Sequence, residues 1–200
     1  MPAAVPHTLV QGVPMFGGAL VMVLGAIIAG NGFGWGTWKT AFTQGPSRTA
    51  TLGGSLLALT VFVAGIVVST LVLDFGLSLV VASIESQAVV WPSATSIGQG
   101  SGICFLVLWM WAARGYFLGI LAKSPALSVG LGLVWALVIE NLLRGVGSAL
   151  GAIEAITHFT PGTAAGSLAG WFVGSGTGSD TPGVLDTLSG GRALWTLAAG

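Results

Sequence analysis

Three ionisable residues lie in or beside long apolar runs of the sequence, where a bilayer would surround them. Arg114 interrupts the run 103–122, Glu140 interrupts the run 127–143, and Arg144 follows immediately. A charged side chain at the centre of a bilayer costs at least about 2.5–3.5 kcal/mol. Glu140 and Arg144 are four residues apart and can pair on one helix. Three interpretations stay open: structural pairing near the outer interface, lining of a transport path, and snorkelling to the surface.

Residue patterns for covalent catalysis or metal binding are missing from the sequence. It contains no H-E-x-x-H pair, and the glycine-rich stretch 174–179 lacks the lysine of a phosphate-binding loop. His7 and His158 are far apart, and Cys104 is the single cysteine. We therefore expect no enzymatic activity, no metal and no cofactor. Six scattered basic residues also cannot form a stripe against phosphates, so nucleic acid is not an expected partner.

The composition of the chain indicates what kind of helices position these residues, because it is very apolar. Hydrophobic residues make up 54% of the 200 residues, charged residues only 6%, and the mean hydropathy is +0.93. A soluble domain has roughly a quarter charged residues, so these charges cannot cover the surface of a soluble globule. The 33 glycines and 8 tryptophans suit close helix packing and membrane interfaces. The sequence therefore predicts an integral membrane protein.

Apolar runs of about 20 residues, the length that crosses a bilayer, predict the helices of a single transmembrane domain over 1–200. Four of these runs are complete and one is cut off: 15–33, 53–73, 103–122, 127–143, and a truncated span from 193. We expect an all-α, multi-pass protein of the cell membrane, in contact with the lipid bilayer.

The connections between these spans differ in charge, which predicts their orientation. The loops 34–52 and 123–126 contain basic residues and no acid, so they are predicted to face the cytoplasm. The acidic connections 74–102 and 147–191 are predicted to lie outside. They include apolar stretches that are too short to span and are predicted to be interfacial or re-entrant, 77–90 and 146–173.

The inner loop contains the pattern of a short amphipathic helix. Trp35 and Trp38 are three residues apart, so on one helix they share a face, which Phe42 extends by a further turn. Lys39 turns toward the lipid head groups. Two interpretations stay open. The helix is either an interfacial anchor of the bundle or a lever that a cytoplasmic partner pushes.

The same loop ends in a turn followed by a helix start. Gly45 and Pro46 break the chain, and Ser47 is placed to cap the helix that begins at Arg48.

Three segments, taken in order, resemble the type-2 ABC exporter permeases. The stretch GWGTWKTAFTQGPSRTATLGGSLLAL resembles that family's cytoplasmic coupling region and the start of its third helix. GLGLVWALVIENLLR at 130–144 resembles its fifth helix, and FTPGTAAGSLAG at 159–170 resembles its extracellular re-entrant hairpin. The likeness runs from about residue 15 to residue 200.

The resemblance implies a permease subunit that forms half of the substrate pathway of an ATP-driven exporter. Its implied partners are a cytoplasmic ABC ATPase subunit, on which ATP is hydrolysed, and a second permease subunit. Its implied fold is a transmembrane helix bundle with a short cytoplasmic coupling helix and an extracellular re-entrant helical hairpin. The implied coupling residues are Trp35, Thr37, Trp38, Lys39, Phe42, Pro46 and Arg48. The implied re-entrant turn is Pro161 and Gly162.

Two further expectations concern completeness and the rival function. The family has six spans, and the resemblance covers only the second through the early sixth, so we expect a fragment or shortened form. A non-energised membrane protein, such as a channel-like oligomer or a membrane assembly subunit, fits the apolar periodicity and the charge pattern equally well. Co-purification of an ATPase separates these two functions.

Overall fold

The computed structural model of the chain describes residues 2–10, 13–43, 47–86, 89–139, 142 and 161–173. In chain order its α-helices are α1 (Val5–Val10), α2 (Gly18–Gly34), α3 (Thr37–Thr43), α4 (Arg48–Ile84), α5 (Ala94–Ala122), α6 (Pro125–Leu133) and α7 (Pro161–Val173). A 3-10 turn over Pro2–Ala4 precedes α1, and π-helical turns occupy Val13–Gly17 and Val134–Ile139. The described residues contain no strand, so the predicted all-α class is confirmed.

Two of these helices are long and apolar enough to cross a membrane. They are α4, with 37 residues, and α5, with 29 residues. A third candidate arises if α2 and α3, which meet at a bend of 68°, are counted as one span. The segment Pro125–Ile139 is a shorter apolar helix. Two to three helices of this kind suggest a membrane protein, whereas the map of four complete spans stays a prediction.

Helix α4 extends well beyond the predicted span at 53–73. The backbone stays helical through Asp74 to Ile84, so the expectation of a separate apolar segment beginning at residue 77 is wrong. An aspartate inside a helix costs at most about 0.7 kcal/mol relative to alanine, so one aspartate is not enough to end the helix. The helical conformation ends where Ser86 adopts a φ of 52°.

The ends of α4 and α5 follow local capping rules. The Ala50 amide donates to the Ser47 hydroxyl at 3.2 Å, which confirms the predicted cap. At the start of α5 the Ser96 amide donates to the Ser93 hydroxyl in the same way, at 3.1 Å. Both contacts satisfy amide groups that the first helical turn leaves without an internal acceptor. The other end of α5 is at Ala122, as predicted, and is followed by Lys123 with a φ of 51°.

Contacts between Cα atoms divide the chain into two units. The first unit contains residues 1–15, 64–107 and 158–200, and the second contains 16–63 and 108–157.

In the first unit the N-terminal helix α1 contacts α7 and buries one side, whereas Thr8 on its other side is exposed. Val5, Leu9 and Val10 are almost completely buried, and the His7 ring stacks on Phe172 with the centroids 5.0 Å apart. Helix α7 is buried from residue 162 to residue 170.

In the second unit the backbones of α2 and α5 approach one another closely. A Cβ atom at Gly115 would collide with the carbonyl oxygen of Met22, and one at Gly25 would collide with the carbonyl oxygen of Ala112. Only glycine permits this approach, which resembles the packing of small residues between membrane helices.

Candidate functional site

The segment predicted to couple to a partner forms a sharp corner between α2 and α4. Gly36 has a φ of +71°, a conformation that side-chain-bearing residues rarely adopt. Its amide donates to the carbonyl oxygen of Phe33 at 3.2 Å, which closes the end of α2. The chain then restarts as α3, bent by 68° from α2.

Trp38 attaches α3 to α2. Its indole Nε1 donates a hydrogen bond of 3.0 Å to the carbonyl oxygen of Ala29, and only 9% of the residue is exposed. The ring fills the space beside Gly32, where a Cβ atom would collide with it. A buried indole that has found its acceptor holds the two helices at a fixed angle.

Phe42 and Arg48 continue these contacts from α3 to the start of α4. The Phe42 ring stacks on Trp38 with centroids 5.7 Å apart. The Arg48 guanidinium carbon lies 5.7 Å from the centroid of the Phe42 ring, within the range of a cation–π interaction. The corner is therefore a connected set of side chains that joins α2, α3 and α4.

The expectation that Trp35 and Trp38 share a helix face is wrong. Trp35 precedes Gly36 and lies outside α3, so the three-residue spacing does not fall on one helix. Trp35 is 79% exposed, in contrast to the buried Trp38. Lys39 and Thr37 are exposed on α3, whereas Pro46 lies outside the described residues.

A cavity of about 430 Å³ lies beside the corner. Its lining includes Asn31 and Ile27 from α2, Trp38 from α3, and Thr51 and Ser55 from α4. Its volume is within the range of about 300–1,000 Å³ that is typical of small-molecule pockets. Since the walls come from three helices, a movement of α3 against α4 changes the shape of this cavity.

The predicted intramembrane charges are only partly described. Arg114 lies on α5 with its side chain half-buried. Glu140 and Arg144 lie outside the described residues, so their pairing stays a prediction. Pro161 and Gly162 form the start of α7, and the predicted re-entrant hairpin extends beyond the described residues on its N-terminal side. Among the described residues no group of three or more His, Cys, Asp or Glu side chains can hold a metal ion.

A second polar site, around Asp74, was missed by the sequence analysis, which placed this residue in an outer connection. Asp74 lies within α4, and with Ser78 and Thr8 it lines a pocket of about 250 Å³ in the first unit. One signal was available: Asp74 is the single charged residue between Arg48 and Glu85. Thr8 is far from Asp74 in the sequence, and no sequence pattern around Thr8 indicates that it lines this pocket.

Comparison with known proteins gives no relative: no family model matches the chain, and neither a curated protein nor a solved structure is significantly similar to it.

Proposed function

We propose that the chain is a multi-pass permease subunit of an ATP-driven ABC exporter of the cell membrane, as the resemblance of its coupling region implies. It would form half of the substrate pathway together with a second permease subunit. A separate cytoplasmic ATPase would bind at the α2–α3–α4 corner and hydrolyse the ATP.

The main support for this proposal is that side-chain contacts at the corner connect α2, α3 and the start of α4 without a gap. Trp35 and Lys39 are exposed, while Trp38 and Phe42, close by in sequence, contact α2 and the start of α4. An anchor that only rests in lipid needs no such internal connection, whereas a lever requires it. A push on the exposed side of α3 is transmitted to two further helices because their contacts are made by buried or stacked rings.

This geometry changes which side chains should contact the ATPase. The buried Trp38 is unavailable to a partner, so the exposed Trp35 becomes the expected anchor. Large aromatic anchors contribute most of the energy of an interface. Trp38 and Phe42 instead transmit the movement that binding produces.

The test is purification of the tagged chain from its native membranes in mild detergent, followed by measurement of co-purifying ATPase protein and ATP hydrolysis. We expect an ABC ATPase to be retained. Trp35→Ala should weaken its association by about 2 kcal/mol, or roughly thirtyfold. The matched control is Trp91→Ala, which removes another exposed tryptophan from a connection that is predicted to face outward.

Two results would contradict the proposal. If the wild-type chain retains no ATPase, the non-energised alternative is favoured. If Trp35→Ala and Trp91→Ala weaken retention equally, the corner is not the docking site.

A further inference from the structure

Ser78 differs from the other hydroxyl-bearing residues of its helix. Most hydroxyl side chains of α4 donate to a carbonyl oxygen of the preceding turn: Thr51, Ser55, Thr60, Ser69, Thr70 and Ser83. The Ser78 hydroxyl oxygen is buried and has no hydrogen-bond partner among the described residues. Buried polar atoms in native proteins are nearly always paired, so this hydroxyl is a candidate for contact with a ligand.

Further oxygen atoms line the pocket beside Ser78. Asp74 lies one helical turn before Ser78, so both residues are on one face of α4, and both line the pocket together with Thr8, Ala4 and Val5. The Thr8 hydroxyl donates to the Val5 carbonyl oxygen at 3.0 Å, which leaves its lone pairs available. A carboxylate and two hydroxyl groups from two helices therefore line one space.

Among the described residues of its unit, no Lys or Arg balances the carboxylate of Asp74. The ring of His7 stacks on Phe172 rather than lining the pocket. The neighbours of Asp74 along the chain, Leu73 and Phe75, are apolar. Ionisable residues within membrane segments are paired or mark an ion path, which makes the Asp74 carboxylate a candidate cation ligand.

We propose that Asp74, Ser78 and Thr8 form a binding site for a small monovalent alkali cation, for which Na⁺ is the probe. Carboxylate and hydroxyl oxygens are hard ligands that suit hard cations, and one carboxylate balances one positive charge. A pocket of about 250 Å³ accommodates an ion with several waters of about 30 Å³ each. A proton alone requires neither the volume nor the unpaired hydroxyl.

The test is binding of radioactive Na⁺ to the purified full chain in detergent, with choline chloride to keep the ionic strength constant. We expect saturable binding and a rise in melting temperature with Na⁺ but not with choline, because a ligand that binds only the folded state stabilises it. Asp74→Asn should abolish saturable binding. Ser78→Ala should weaken it about tenfold, since it removes one oxygen that coordinates the cation.

Two matched variants control for unrelated effects. Ser69→Ala removes a hydroxyl of the same helix that already donates to Gly65 at 2.7 Å, and Glu85→Gln neutralises the acid just beyond its end. Both should bind Na⁺ as the wild type does. If Asp74→Asn does not fold, Ser78→Ala against Ser69→Ala decides the question.

Three outcomes would overturn the proposal. They are the absence of saturable Na⁺ binding to the wild type, equal affinities of Ser78→Ala and Ser69→Ala, and a site that takes up protons without any displacement by alkali cations. None of these results depends on an ATPase, so this inference and the proposed function can fail separately.

Discussion

At the scale of single residues, two tryptophans three positions apart have opposite environments. Trp38 donates its indole N–H to Ala29 and is buried, whereas Trp35 is 79% exposed. The difference arises at Gly36, whose φ of +71° ends one helix before the next begins. A partner protein can therefore contact Trp35 without disturbing the internal contact that Trp38 makes.

This arrangement predicts different effects of substitutions at the two tryptophans. Trp38→Phe keeps a ring but loses the hydrogen bond and should lower the free energy of unfolding by about 1 kcal/mol. Trp38→Ala should lower it by about 3–5 kcal/mol, since it also leaves a cavity. Trp35→Phe is the matched control and should have little effect. Denaturant titration in mixed micelles measures all three. Equal stability of Trp38→Ala and Trp35→Phe would show that the corner does not depend on Trp38.

At the scale of secondary-structure elements, α2 and α5 pack with their backbones in close approach. Gly115 on α5 faces the Met22 carbonyl oxygen of α2, and Met22, Ala26 and Ala112 are buried with at most 2% exposure. The atoms that a Cβ at Gly115 would meet are backbone atoms of Met22. They cannot rotate away as a side chain can, so an added methyl group requires movement of a whole helix.

We therefore expect Gly115→Ala to destabilise the protein by about 1–3 kcal/mol through overpacking. Gly102→Ala is the matched control on the same helix, because a Cβ atom there meets no described atom within 4 Å. It should be neutral or slightly stabilising, since alanine favours helix more than glycine does. Melting curves in a single detergent compare the two variants. A similar loss of stability in both would contradict the close packing.

Local features of these elements could be predicted from the sequence, and contacts between distant segments could not. The Ser47 cap and the end of α5 at Ala122 follow from short-range chemistry. The prediction that Trp35 and Trp38 share a face was wrong because a helical spacing argument assumes an unbroken helix. Asp74 was predicted to lie in a loop because charged residues are rare in membrane spans. The structure instead places it within α4. Its pocket needs Thr8, whose approach depends on tertiary packing.

At the scale of the whole molecule, α4 is longer than the hydrocarbon core of a bilayer is thick. Its 37 residues extend about 55 Å at 1.5 Å per residue, well beyond the roughly 30 Å of a hydrocarbon core. Apolar side chains such as Val61, Val72 and Ile84 are exposed along it. A lipid environment would explain exposed apolar residues over such a length, and it predicts that the two ends of the helix lie on opposite sides of the membrane.

This placement can be tested with single cysteines next to the two ends of α4. Thr43→Cys and Glu85→Cys, both at exposed positions and made in a Cys104→Ser background, should react with a membrane-impermeant maleimide from opposite sides. The inner-loop position should label from the cytoplasm, since the basic loop 34–52 is predicted to face inward. Thr40→Cys should follow Thr43→Cys, and Trp91→Cys should follow Glu85→Cys. The unaltered chain should not label, because Cys104 is only 2% exposed. Labelling of both ends from the same side would mean that α4 does not cross the bilayer, and the predicted cytoplasmic position of the corner would then be wrong.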